Sequence, residues 1–268
     1  MTNKAQINLI SAPQDLKKIV YTACRTCYSS ITPIEIWKSI NYNGEDCCFN
    51  DSMVNEKILK LILKVMESGH YSTVEHACFT FTISGISRAA ANQLTRHRHM
   101  SFSQQSLRYV EIKEDTELLE HIVSNNLKEK AEEIVGKYYV LTYCKEANSK
   151  LYWLEIMDFA DNLYRYLRKI KNGAEPEDAR NILGLGVKTN LVATLNLREL
   201  IHLCSERLCA RAQREIRLMV KQMRDLALEQ EPWLKPFLQP KCVKDGGCTE
   251  LECCGFNQIR EKKELRVM

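Results

Sequence analysis

Between residues 152 and 170, apolar side chains recur at a spacing that only a helix can bury on one side. Tyr152, Leu154, Ile156, Phe159, Leu163, Tyr166, Leu167 and Ile170 form that stripe, and Asn172-Gly173 closes it. Helix formers dominate the whole stretch 116–172, so a chain built around it is rich in helix. Residues 16–27 read as a further helix. Ile58, Leu61, Ile62, Val65 and Met66 mark another, with Gly69 at the C-cap position. Pro176 followed by Glu177 and Asp178 is a helix start, with proline at the first position and acids at the positive end of the dipole. Glu199 to Gln230 reads as one long helix. Strand signals are few. Ala77, Phe79, Phe81 and Ile83 alternate with Cys78, Thr80 and Thr82, the pattern of a strand with one buried face. Ser84-Gly85 should end it, with helical character returning from Ile86 to Arg98. Leu191 to Leu195 is an apolar run of open type, and Ile31 to Asn50 reads as an irregular excursion. The class is α+β: a helix-rich single domain with a small antiparallel sheet, spanning 1–240, followed by a Cys-rich tail over 241–268.

Charge and composition exclude some functions. A formal net charge of +4 over 268 residues is too small to call for a nucleic-acid partner. No apolar run approaches the roughly 20 residues needed to cross a bilayer, and the N-terminus lacks a signal-peptide core. The expected location is cytoplasmic, without membrane attachment, and the twelve cysteines should then be mostly reduced.

Local charge is more informative. Arg96-His97-Arg98-His99-Met100-Ser101-Phe102-Ser103-Gln104-Gln105-Ser106-Leu107-Arg108-Tyr109 packs three arginines, two histidines and three serines into one stretch after a helix. Guanidinium forks bind phosphate oxygens bidentately, and serine hydroxyls add donors. Gln93 lies one turn before Arg96, and its amide suits the edge of a heteroaromatic ring. A solvated basic helix end is the plainer reading of such a run. Arg180 follows the helix start at Pro176, however, and Arg207, Arg211 and Arg214 should share a face of the last helix at i, i+4, i+7. Like charges stacked on one face are unfavourable unless an anion or carboxylate neutralises them. Several separated clusters therefore point to a polyanionic ligand. Two rival classes stay open: a nucleic-acid module in which Tyr109 and Phe102 stack on bases, and a helical scaffold whose arginines pair with Glu199, Glu206 and Glu215.

Arg96-His97-Arg98, seven residues and then Ser106 resembles the signature of the flavin-dependent thymidylate synthases, with Arg108 following. Gly69-His70-Tyr71-Ser72-Thr73-Val74-Glu75-His76, Glu177-Asp178-Ala179-Arg180, Thr194 to Leu200 and Arg207 to Arg217 resemble other blocks of that family in the same order. The resemblance implies FAD-dependent reductive methylation of dUMP to dTMP, with 5,10-methylenetetrahydrofolate as carbon donor and NADPH as reductant. It implies a homotetramer with active sites between subunits. It places His70, Ser72, Arg96, His97, Arg98, Gln104, Asn196 and His202 at FAD, and Gln93, Arg96, Gln104, Ser106, Arg108, Arg180 and Arg207 at dUMP. Arg207 would be catalytic, stabilising charge on the uracil as N3 loses its proton. Ser106 reads as a ligand of phosphate or ring rather than a nucleophile, because a serine without an adjacent base is a poor one. His202, Gln104 and Arg214 depart from residues common in the family. FAD in this family does not sit on a Rossmann fold, and the sequence has no Gly-x-Gly-x-x-Gly.

Two cysteine patterns stand apart. Cys24-Arg25-Thr26-Cys27 has redox spacing, but no βαβ context supports that reading, and ordinary packed thiols are the expectation. Cys242, Cys248, Cys253 and Cys254 could supply a tetrahedral metal site or be loose thiols; the adjacent pair is awkward as joint ligands.

Overall fold

The computed structural model describes residues 5–41, 51–142 and 148–255. In chain order the elements are β1 (Gln6–Ser11), α1 (Leu16–Thr26), α2 (Pro33–Asn41), α3 (Asp51–Glu67), β2 (Cys78–Ser87), α4 (Arg88–Leu94) and β3 (Met100–Gln104). Then follow α5 (Thr116–Ser124), α6 (Lys128–Tyr138), α7 (Ser149–Lys171), α8 (Pro176–Ala179), β4 (Lys188–Asn196), α9 (Leu197–Arg207), α10 (Arg214–Gln230) and α11 (Lys241–Lys244). The four strands form one antiparallel sheet in the order β1-β2-β4-β3. The α+β class expected from the sequence is the one observed. Among the described residues no helix is long and apolar enough to cross a membrane.

Contacts divide the chain into two compact units. One contains residues 82–96 and 102–192. Here α7 packs against α5 and α6, burying Leu119, Ile122, Val135, Ile156, Leu163 and Tyr166. Each such side chain contributes about 1.5–3 kcal/mol by leaving water. Asn172 closes α7 and Gly173 takes φ +84°, the left-handed end that the sequence announces. Gly186 lies against Phe159 so closely that a Cβ would stand 2.7 Å from the ring. That ring is stacked on the buried Tyr139 at 4.2 Å between centroids.

The other unit contains residues 8–81, 97–101 and 193–268, described through residue 255. In it α1 packs on α3 through Leu16, Val20, Ile58, Ile62 and Met66, all fully or almost fully buried. Cys24 belongs to this core, and burial raises its thiol pKa. Its sequence partner Cys27 is exposed. The Cys24–Cys27 spacing therefore reflects one packed thiol and one surface thiol.

Four expectations are corrected. Part of the excursion from Ile31 is the helix α2, because Thr32 and Glu35 cap each other: the Thr32 amide donates to Glu35 Oε2 at 2.9 Å and the Glu35 amide donates to Thr32 Oγ1 at 3.3 Å. Residues 42–50 of that stretch lie outside the described residues. Ser84-Gly85 does not end its strand. Gly85 adopts φ +74°, its N–H donates to Asn190 Oδ1 at 3.0 Å, and β2 continues to Ser87. Helix then occupies only Arg88–Leu94, capped by Ser87 Oγ accepting from the Ala90 amide. Glu199 to Gln230 is two helices, not one. The chain leaves α9 after Arg207 and re-enters helix at Arg214, so the shared arginine face does not exist. In the break, Arg217 Nη1 donates to the Ala210 carbonyl at 2.8 Å. The apolar run around Leu191 is β4, whose Leu191, Ala193 and Leu195 are buried in alternation.

Replacing Gly186 with alanine should cost about 1–3 kcal/mol, the range for overpacking a filled site. Thermal denaturation would read this as a lowered midpoint; an unchanged midpoint would mean that the Phe159 ring swings aside freely.

Candidate functional site

The second unit buries a carboxyl group against an imidazole. Glu199 lies in the first turn of α9, where the helix dipole favours a carboxylate. Asn196 fixes that turn by accepting the Glu199 amide on Oδ1 at 2.9 Å. The Leu197 amide donates to the Ala77 carbonyl at 2.7 Å and anchors the helix start. Glu199 and His97 are 5% and 6% exposed, and Glu199 Oε1 lies 3.0 Å from His97 Nδ1. Arg207, at the far end of α9, donates its Nε–H to His97 Nε2 at 3.0 Å. An arginine N–H can only donate, so Nε2 carries a lone pair and the ring proton is on Nδ1, facing Glu199. His97 is therefore neutral. Burial lowers its pKa most, and the Arg207 charge lowers it further against the opposing pull of Glu199. Buried charges are tolerated only when paired, and this one has a defined consequence. Nε is committed to His97, and among the described residues no hydrogen bond to the terminal Nη nitrogens of Arg207 is found.

His202, exposed on the same helix, packs edge-on against His97 at 5.6 Å between ring centroids. His97, Glu199 and His202 bring possible ligand atoms within 4.8 Å of one another. Both nitrogens of His97 are already engaged, and the guanidinium beside it opposes a cation, so this cluster does not suit a metal ion. His70, Ser72 and Arg98, expected near FAD, belong to this unit and are exposed. Glu199 itself turns to His97 rather than to an arginine, against the scaffold reading. The four tail cysteines, Cys242, Cys248, Cys253 and Cys254, border one cavity of about 600 Å³ together with Cys209.

The first unit holds Gln93, Arg96, Gln104, Ser106, Arg108 and Arg180. Arg108 Nε donates to Glu177 Oε2 at 2.7 Å, and Arg180 Nε donates to the Glu177 carbonyl at 3.1 Å. The Arg108–Glu177 pair is half-exposed, so it contributes only about 0–1 kcal/mol and an incoming phosphate can displace it. Ser106 Oγ accepts the Arg108 amide at 3.2 Å, and Gln104 Nε2 donates to Thr189 Oγ1 at 3.2 Å. Gln93 is half-buried, whereas Arg96 is exposed. Among the described residues neither Arg96 nor Arg98 has a carboxylate at salt-bridge distance.

Sequence reasoning missed Arg88. It heads α4, and its Nη2 donates to the Gln105 carbonyl at 3.1 Å, which steadies the segment carrying Gln104 and Ser106. Its Nε is buried with no partner in the structure, and its pKa is lowered by burial and then by the charge of Arg180. An orphaned donor within the field of a second guanidinium suits an anion. The Ser-Arg pair at the end of an alternating run was the available signal. For Glu199 it was the Asn196–Glu199 spacing of a helix cap.

A helix-rich α+β fold that gathers guanidinium groups in this way offers donors suited to anions. A family model described as thymidylate synthase complementing protein matches residues 8–233. The flavin-dependent thymidylate synthase of Nitratidesulfovibrio vulgaris is 31% identical over 264 residues, covering 96% of both chains. That of Pyrococcus abyssi is 36% identical over 219 residues, covering 78% of this chain and 82% of its own. Thymidylate synthase X from Helicobacter pylori, solved with FAD and dUMP, superposes with a TM-score of 0.62. It covers 85% of this chain and 96% of its own at 24% identity, a likeness of fold. The chain belongs to the flavin-dependent thymidylate synthase family.

The neutral His97 has a consequence for stability. Its folded pKa lies below the ordinary 6.5, so the unfolded chain takes up a proton that the folded chain refuses. Stability is therefore present above that value and is lost as pH falls from it toward the folded pKa. Thermal melts of the wild type against His97→Gln should show the acid-side decline reduced in the variant. Parallel curves would remove His97 as its source.

Proposed function

We propose that this protein catalyses the reductive methylation of dUMP to dTMP with FAD, taking the carbon from 5,10-methylenetetrahydrofolate and the reducing equivalents from NADPH. It would act in the cytoplasm as a homotetramer whose active sites are completed by residues of neighbouring subunits. The observation that carries this reading is the Glu199–His97–Arg207 relay, together with the family to which the chain belongs. The relay presents a guanidinium with its terminal nitrogens uncommitted, the group that a uracil losing its N3 proton requires.

The residues present fit both ligands. The unsatisfied Nε of Arg88 beside Arg180 suits the phosphate of a nucleotide. Arg180, Arg108 and Ser106 would bind that phosphate, with Gln93, Arg96 and Gln104 presenting donors and acceptors to the rest of dUMP. Exposed Arg96 and Arg98 suit the pyrophosphate of FAD, while His70, Ser72, His97, Gln104, Asn196 and His202 would hold the remainder. Asn196 spends its oxygen on the helix cap, which leaves its amide nitrogen for the ligand. Bound FAD supplies the electron pair for the reduction. Arg207 would stabilise negative charge on the uracil ring and raise electron density at C5. His97 and Glu199 would hold that arginine in place, and Ser106 would bind rather than attack.

An absorption spectrum of the purified protein, followed by titration with dUMP, tests the reading. A flavin band that shifts on adding dUMP is expected; no flavin, and no uptake of added FAD, would overturn it. Arg207→Lys should keep the flavin and lose at least about a hundredfold in turnover, the scale for removing one preorganised charge donor. Turnover at the wild-type rate would refute the role given to Arg207. Ser106→Ala should raise the dissociation constant for dUMP while leaving chemistry at saturation largely intact. Intact binding with abolished chemistry would instead make Ser106 a nucleophile.

A further inference from the structure

Five cysteines meet at one cavity in the second unit. Cys209 comes from the turn between α9 and α10, while Cys242, Cys248, Cys253 and Cys254 come from the tail. We propose that Cys209, Cys242, Cys248 and one of the adjacent pair Cys253–Cys254 bind a zinc ion, fastening the tail to the turn after Arg207.

The tail needs such a tie. Between residues 241 and 255 only Gly247 is buried, and the single helix there is four residues long. A segment with so little core of its own is ordinarily held by a disulfide or a metal, and none of the five thiols forms a disulfide. One hydrogen bond already ties the turn to the tail. Arg211 Nη1 donates to the carbonyl of Glu252, next to Cys253, at 2.7 Å. The Gly255 amide donates to Cys253 Sγ at 3.4 Å, the kind of backbone support that a thiolate ligand receives. Cys248 lies within electrostatic reach of Cys253 and Cys254, and Cys242 within that of Cys209, Cys248 and Cys254.

Charge is compatible. Each thiol releases its proton to solvent on ligation, and four thiolates around Zn²⁺ leave a net charge of −2. Arg211 and Arg217, which line the cavity, offset that charge. No three of these sulfurs stand within 4.8 Å of one another. Ligation at about 2.3 Å from zinc to sulfur therefore requires the tail loops to close around the ion. Adjacent cysteines in one peptide do not both fit a tetrahedron easily, so the pair supplies a single ligand.

Cobalt(II) is the probe. Added to the fully reduced full-length protein, it should bind at one ion per chain and give the visible bands of a tetrahedral thiolate complex, at wavelengths beyond flavin absorption. Zinc should displace it. Cys209→Ser and Cys242→Ser should each lose those bands at equimolar cobalt, whereas Cys27→Ser should keep them. Flavin uptake by every variant, measured in parallel, reports that the fold is retained. Absence of the bands in thiol-titrated wild type would overturn the proposal. So would bands that survive Cys209→Ser in folded protein, since the tail would then bind without the turn.

Discussion

A buried carboxylate must be matched, and Glu199 is matched by a single ring proton. That constraint propagates. Because Glu199 accepts at Nδ1, His97 is left with one lone pair, and because that lone pair accepts from Arg207, the guanidinium is held by one edge only. The helix α9 makes this possible by carrying Glu199 in its first turn and Arg207 in its last. Breaking the helix after Arg207 releases the chain to turn away, so a longer helix would not have served.

The hydrophobic contribution and the polar one are kept apart. In the first unit, α5, α6 and α7 form a core of aliphatic and tyrosine side chains, while Arg88, Arg108 and Arg180 sit on or beside short elements. In the second unit, α1 packs on α3 and α9 against α10. Segments at the ends of elements carry the ligand-facing groups, where backbone positions are set by rigid neighbours and side chains remain accessible.

Legibility in the sequence followed the strength of local signals. The stripe from Tyr152 to Ile170 runs along one helix, with Leu154 left exposed, and the alternation from Ala77 to Ile83 buries a single face; period located both. Boundaries were harder. Pro33 and Gly85 were read as breakers, but one sits at the first position of a capped helix and the other inside a continuing strand. In each case a side chain elsewhere, Glu35 or Asn190, satisfied the backbone group that decided the outcome. The gap between α9 and α10 holds no glycine or proline, so nothing in the local sequence announced it. Arg207 and His97 were named from resemblance. Glu199 and Arg88 were not placed in the site, because their roles depend on partners distant in sequence.

Arg88 and Arg180 give the ligand-free protein a fault that it does not repair by itself. A guanidinium whose pKa is lowered by burial and by the charge of a second one, with a buried N–H left unanswered, is electrostatic frustration stored in the fold. Such a region gives up folding stability in order to have its recognition geometry already built. An anion that arrives there relieves repulsion as well as forming bonds, so ligand occupancy and conformational stability become two readings of one equilibrium.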